Sequence, residues 1–192
     1  MAVLILGLVL FLGLHSIRIF ADDWRSAQIA SRGEGAYKGV YSLLSIAGLV
    51  LIVWGYGQTR IAPLDLWSPP VWTRHAASLL TLLSFVLIVA AYVPRNRIRA
   101  AVGHPMVAGV KLWAFAHLIA NGRAGDLVLF GAFLVWAIVD FVSARRRDRA
   151  AGRQPPAGAL TGDVITIAAG IVGWVVFAMV LHAVLIGVRP FA

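Results

Sequence analysis

The sequence predicts an all-α fold, an integral membrane bundle of about six transmembrane helices. Three observations predict it. First, 60% of the 192 residues are A, V, I, L, M, F, W, Y or C and only 13% are charged, against roughly a quarter in an ordinary soluble domain. One small domain cannot hide that much apolar surface, which excludes a soluble globular enzyme. A disordered chain needs the opposite composition. Second, the apolar residues are gathered into long runs, and about 20 of them span a bilayer core as a helix. Third, Lys and Arg fall in alternate connections. Residues 1–192 read as a single transmembrane domain, with no soluble domain and no convincing internal repeat.

The runs, in order, are Ala2–Phe20, 39–56, 76–92, 106–120, 127–142 and 164–188. The first lacks the basic start and small-residue cleavage site of a signal peptide and ends in His-Ser-Ile-Arg, so it reads as a mature helix. The fourth is short and carries Lys111, which makes it the weakest span. Residues 60–70 form a Pro-rich connector whose Trp67, with Trp72 beyond it, suits the membrane interface. Residues 152–158, Gly-Arg-Gln-Pro-Pro-Ala-Gly, form a flexible link to the last helix.

Charge sets the orientation. Arg18, Arg25, Arg32 and Lys38 lie between the first two runs, Arg95, Arg97 and Arg99 after the third, and Arg145, Arg146, Arg147, Arg149 and Arg153 after the fifth. The other connections and the tail hold only Arg60, Arg74, Arg123 and Arg189. Cytoplasmic loops retain positive charge, so both termini are expected to face away from the cytoplasm. The net charge of +9 then reports topology rather than a nucleic-acid footprint. Arg145–Arg149 read as a stop signal that can also meet anionic lipid headgroups. The expected partner is the bilayer itself.

Ionisable groups inside a bilayer are costly and become functional candidates by default. Asp22, Asp23, Glu34, Asp65, Asp126, Asp148 and Asp163 sit in loops or at helix ends, and Asp140 lies one turn from the end of the fifth run. A buried carboxylate relay is therefore not expected. Cys is absent, which removes disulfides, thiolate sites and Cys nucleophiles. All five histidines, His15, His75, His104, His117 and His182, lie in runs or at their ends. Each alone reads more readily as an interhelical hydrogen-bonding group than as a ligand. Together they point to a cofactor: zinc wants clustered ligand spacings, whereas b-type haem needs two axial imidazoles, an apolar slot and basic groups for its propionates. Gly103-His104-Pro105-Met106 opens the fourth helix with a preorganised Pro. Asn121-Gly122 closes it, with Gly in the usual C-terminal role. Gly7, Gly13, Gly48, Gly55, Gly131, Gly170 and Gly173 are expected to let helices approach closely.

Four segments carry a family resemblance: Phe11-Leu-Gly-Leu-His15-Ser-Ile-Arg18, Tyr41-Ser-Leu-Leu-Ser, Trp72-Thr-Arg74-His75, and the long block from His104-Pro-Met-Val-Ala-Gly through Trp113-Ala-Phe-Ala-His117 to Asn121-Gly122. They resemble the NnrU family over nearly the whole chain. Its members are integral membrane proteins associated with bacterial denitrification and nitric oxide metabolism, related to the plant 15-cis-zeta-carotene isomerase, a haem b enzyme. The resemblance implies haem b held by His15 and His117, with His75, His104 and His182 ranked second. It leaves the catalytic residues unknown. It also implies residence in the bacterial inner membrane, in the company of other redox or denitrification components. Two positions depart from the pattern. Ala114 stands where the isomerase has an alternative Cys ligand, and Gly103 stands where the family often has Arg, for which Arg99 is the nearest substitute. A membrane methyltransferase and a non-catalytic assembly or transport factor are the alternatives. Depth along the helices separates His15 from His117 and would instead pair His117 with His182 or His75.

Reporter fusions test the topology. One at Gly152 is expected to report the cytoplasm and one after the last residue the opposite compartment; matching signals overturn the assignment.

Overall fold

The computed structural model describes residues 1–154 and 157–191. Its helices are α1 (Ala2–Phe20), α2 (Asp22–Arg32), α3 (Glu34–Thr59), α4 (Trp72–Ala90), α5 (Arg97–Val102), α6 (Pro105–Ala120), α7 (Ala124–Ala150) and α8 (Leu160–Val176). A π-helical turn, Phe177–Leu181, carries α8 into α9 (His182–Ile186). The helices that can cross a membrane are α1, α3, α4, α7 and the continuous α8–α9 segment.

The expected sixth span is α6, and it falls short. Its 16 residues extend about 24 Å, less than the roughly 30 Å hydrocarbon core. It nonetheless runs between the two ends of the bundle. At its start, His104 bonds Asp148 at the far end of α7. At its finish, Gly122 O accepts from the backbone N–H of Leu66 at 2.8 Å. Polar backbone at membrane depth is tolerated where protein covers it, and both ends of α6 are covered in this way. Lys111, the residue that weakened the span in the sequence, points its ammonium at the Phe141 ring of α7, 4.6 Å from the centroid. Such a cation–π contact compensates part of the desolvation of a lysine.

The basic connections converge. Arg147 donates to the carbonyl of Arg18, Arg97 lies 3.7 Å from Asp163, and Asp148 joins His104 to Arg153. The opposite end collects Arg60, which donates to the carbonyl of Ile186, and the Arg123–Asp65 pair at 3.4 Å. The alternation of charge in the sequence is therefore an alternation of ends in space.

Neighbouring helices follow the order α3, α1, α7, α6, α4, α8. Glycine sets the tightest of these contacts. A Cβ on Gly7 would meet Ile52 N at 2.6 Å, one on Gly48 would meet Phe11 at 3.0 Å, and one on Gly55 would strike the backbone of Leu4. Leu4, Leu8 and Leu12 of α1 thereby pack with Ile52 of α3 and with Leu129 and Phe130 of α7 in the core. Gly170 fulfils the same expectation against Val86, whereas Gly13 and Gly131 face open space and Gly173 makes only ordinary contact with Phe85.

Several boundaries differ from the sequence reading, each for a local reason. The first basic connection folds as α2, an amphipathic helix whose Trp24 is 53% exposed, as suits an element lying in the interface. Past α4 the chain turns around Asn96, which is 2% exposed. Its amide donates to the carbonyls of Ala90 and Val93 at 2.9 and 2.6 Å, and its carbonyl caps Arg99 N at 2.6 Å, starting α5. The fifth span continues to Ala150 because Arg-rich sequence is good helix former outside the bilayer. Gly122 does not act through a left-handed C-terminal conformation. A Cβ there would collide with the carbonyl oxygen of Trp67, and close approach of the connector is its role. Of the Pro-rich link, Pro155 and Pro156 lie outside the described residues.

Gly7→Ala and Gly55→Ala are each expected to cost about 1–3 kcal/mol by overpacking the α1–α3 contact. Gly131→Ala, with nothing near its Cβ, should be neutral or stabilising by up to about 1 kcal/mol. Thermal unfolding in one detergent compares the three; equal losses would refute the glycine clasp.

Candidate functional site

The glycine contacts join residues 3–11 of α1 to residues 48–55 of α3, and α2 connects the two helices at the basic end. A cleft of about 440 Å³ opens there. Leu14, His15, Ile17 and Arg18 of α1 form one wall, and Tyr37, Lys38 and Tyr41 of α3 face them. Trp136, Asp140, Ala144 and Arg147 of α7 supply the third side, with Arg25 and Ile29 of α2 and His104 closing the rim. Asp140 thus lies well inside α7, which runs ten residues beyond it to Ala150, and faces the cleft.

The rim is electropositive. Arg18, Arg25, Lys38 and Arg147 outnumber Glu34 and Asp140 among the lining residues. Lys38 pairs with Glu34 at 2.7 Å and Arg25 with Asp22 at 3.5 Å. Arg147 donates to Ser143 Oγ at 2.7 Å, which holds its head over the end of α1.

Two histidines share this cleft, each with one ring nitrogen engaged. His15 Nδ1 donates to the carbonyl of Phe11 at 2.7 Å, since a carbonyl can only accept. This tautomer leaves Nε2 with a lone pair, the arrangement that suits a metal ligand. The ring is fixed by Phe11, stacked at 4.2 Å, by Tyr41 at 5.4 Å, and by the edge of Trp136 at 6.0 Å. His104 Nε2 donates to Asp148 Oδ2 at 2.7 Å, which leaves its Nδ1 for another partner.

His117 lies elsewhere. It repeats the same local device, with Nδ1 donating to the carbonyl of Trp113 at 2.8 Å, but its ring stacks on Phe130 at 4.5 Å near the opposite end. Between His15 and His117 runs a ladder of rings: Phe11 to Phe133 at 6.0 Å, Phe133 to Trp113 at 5.6 Å, Trp113 to Phe130 at 5.1 Å. These rings lie between the two histidines, and His117 is not among the residues that line the basic-end cleft. His75 is exposed at the start of α4. His182 turns Nδ1 to the carbonyl of Val188 at 2.8 Å.

The departure at Gly103 has a steric cause. Its φ is +78°, and a Cβ there would lie 2.8 Å from the Arg145 guanidinium. An arginine at position 103 would be strained and would compete for space that Arg145 already occupies. Arg99, the substitute suggested by spacing, is turned to the carbonyl of Ala91 at 3.2 Å.

One feature escaped sequence reasoning. Asp126, read as a helix-end residue, is only 4% exposed and accepts from Tyr56 Oη at 2.5 Å. The partners are far apart in sequence, and only the place of Asp126 in the first turn of α7, where a helix favours negative charge, hinted at it. Among the described residues no three His, Cys, Asp or Glu side chains gather as a metal site.

The His104–Asp148 bond joins the start of α6 to the extension of α7. A double-mutant cycle on His104→Ala and Asp148→Ala is expected to return about 1–3 kcal/mol of coupling. Arg153→Ala, which removes an exposed ion pair, should cost under about 1 kcal/mol. A coupling near zero would mean that the bond does not join the two helices in solution.

No curated protein and no solved structure matches the chain. A family model does: NnrU protein, over residues 3–190. That coverage takes in both ends of the bundle and every candidate histidine, and the chain belongs to the NnrU family.

Proposed function

We propose that this multi-pass membrane protein binds haem b in the basic-end cleft and serves a redox step of nitrogen-oxide metabolism at the bacterial inner membrane. The observation that carries the reading is His15: an imidazole with Nδ1 fixed and Nε2 open, in a cleft rimmed by four cations. The donor set fits the group. Leu14, Ile17, Trp136 and Ala144 offer apolar wall, and Arg18, Arg25, Lys38 and Arg147 suit carboxylates at the cytoplasmic surface. His104, on the same cleft, is the better placed second imidazole, ahead of His117, which the ring ladder separates from His15. Haem held by these imidazoles would supply one-electron redox chemistry. Family membership supports the nitrogen-oxide context, and the positive-inside bias supports the inner-membrane orientation.

An isomerase-like reaction has less support. Position 114 is an alanine fully buried in the packing of α6, so no side chain there can alternate with a histidine as ligand. The methyltransferase and assembly-factor readings have no observation of their own.

Purification in mild detergent with haem supplied tests the proposal. The wild-type chain is expected to show a Soret band and to sharpen on dithionite reduction. His15→Ala should lose most of that absorbance, His104→Ala should shift it, and His117→Ala should leave it nearly unchanged while all three variants insert. A colourless wild-type protein overturns the reading. Loss confined to His117→Ala moves the site to the other end of the ladder.

A further inference from the structure

The seam between α1 and α7 has two sides. Consecutive helical residues point about 100° apart, so Arg147 turns into the cleft while Arg146 turns outward to a second groove. This groove, about 330 Å³, is lined by Ile19 and Phe20 of α1 and by Ile138, Val139, Val142, Ser143 and Arg146 of α7. Its floor faces lipid: Phe20, Ile138, Val139 and Val142 are all exposed. From Ile138 to Arg146 it runs about 12 Å along α7, from hydrocarbon depth up to the basic end.

We propose that this groove binds an anionic phospholipid of the cytoplasmic leaflet, one acyl chain against Ile138, Val139 and Val142 and the phosphate on Arg146. Depth and charge select that occupant. A groove on the hydrocarbon-facing surface of a spanning bundle is bathed in acyl chains, so its natural ligand is a lipid. At its upper end stands a guanidinium that, among the described residues, makes no ion pair with protein. Arg145 and Arg149 lie on the same helix but outside the lining of this groove. The Ser143 hydroxyl at that level is held by Arg147, which fixes the rim. A zwitterionic headgroup would bring its own cation against this cluster, whereas an anionic one does not. Guanidinium meets a phosphate with paired N–H donors, which favours arginine over a diffuse positive surface. The site is independent of the haem reading, since it lies outside the cleft and needs no cofactor.

The test uses the full-length chain, delipidated in mild detergent and titrated with phosphatidylglycerol or phosphatidylcholine, with native mass spectrometry reading bound lipid. Wild type is expected to hold phosphatidylglycerol preferentially. Arg146→Gln should weaken that binding about fivefold, the contribution expected of a single arginine at an anionic headgroup. Arg149→Gln, an equal loss of charge outside the groove, should leave it nearly unchanged. Val142→Trp, which fills the groove without altering charge, should also displace the lipid. Lipid-free melting confirms that each variant folds. Equal binding of both lipids by wild type overturns the site. So does an equal loss from Arg146→Gln and Arg149→Gln, which would mean that the basic cluster acts as a diffuse surface.

Discussion

The close approach of α1 and α3 is the contact on which the rest of the structure depends. In hydrocarbon there is no hydrophobic drive between helices, so packing contact must hold them. Gly7, Gly48 and Gly55 remove the side chains that would keep the two backbones apart. Once clasped, the helices place His15 beside Tyr41 and leave the connection between them too short to wander. The chain folds that connection as α2, and the space under α2 is the cleft. A residue set at a helix end thus inherits its geometry from glycines about two to four turns away.

The aromatic ladder is the second constraint. Aromatic pairs favour tilted and edge-on contacts, and those between Phe11, Phe133, Trp113 and Phe130 follow that preference. They form a septum through the middle of the bundle. On one side lies a cationic cleft with two imidazoles; on the other, His117 and the Tyr56–Asp126 bond. The septum makes the two ends chemically distinct. The rings between His15 and His117 come from three helices, α1, α6 and α7, each packed on its neighbours.

The fold class was legible because it rests on summed quantities. Run length and the alternation of arginines are additive over many residues, and no single misreading could change them. Pro105 and Asn121 marked the limits of α6 for a different reason: a helix start and finish are local chemistry. Pairings were not legible. Nothing near Asp126 in the sequence names Tyr56, and nothing near His104 names Asp148. Gly122 was misread for an instructive reason. Glycine at a helix end is usually chosen for backbone freedom, but here the carbonyl of Trp67 occupies the place of a side chain. Sequence supplies the residue type, and only packing tells which of glycine's two properties is in use.

The arginines after α7 show how one stretch can serve several ends at once. As a block they are the expected orientation signal, which any order of basic residues would supply. Helical periodicity then distributes them. Arg145 fills the space beside Gly103, Arg146 crowns the lipid-facing groove, and Arg147 reaches over the end of α1 into the cleft. Their neighbour Asp148 takes the bond from His104. A topological signal need only be positive, but these positions are not interchangeable, because each guanidinium or carboxylate faces a different element. The block therefore constrains more than orientation: it ties α1 and the start of α6 to α7 at the level where the cleft opens, so the electropositive rim and the helix packing beneath it are set by the same residues.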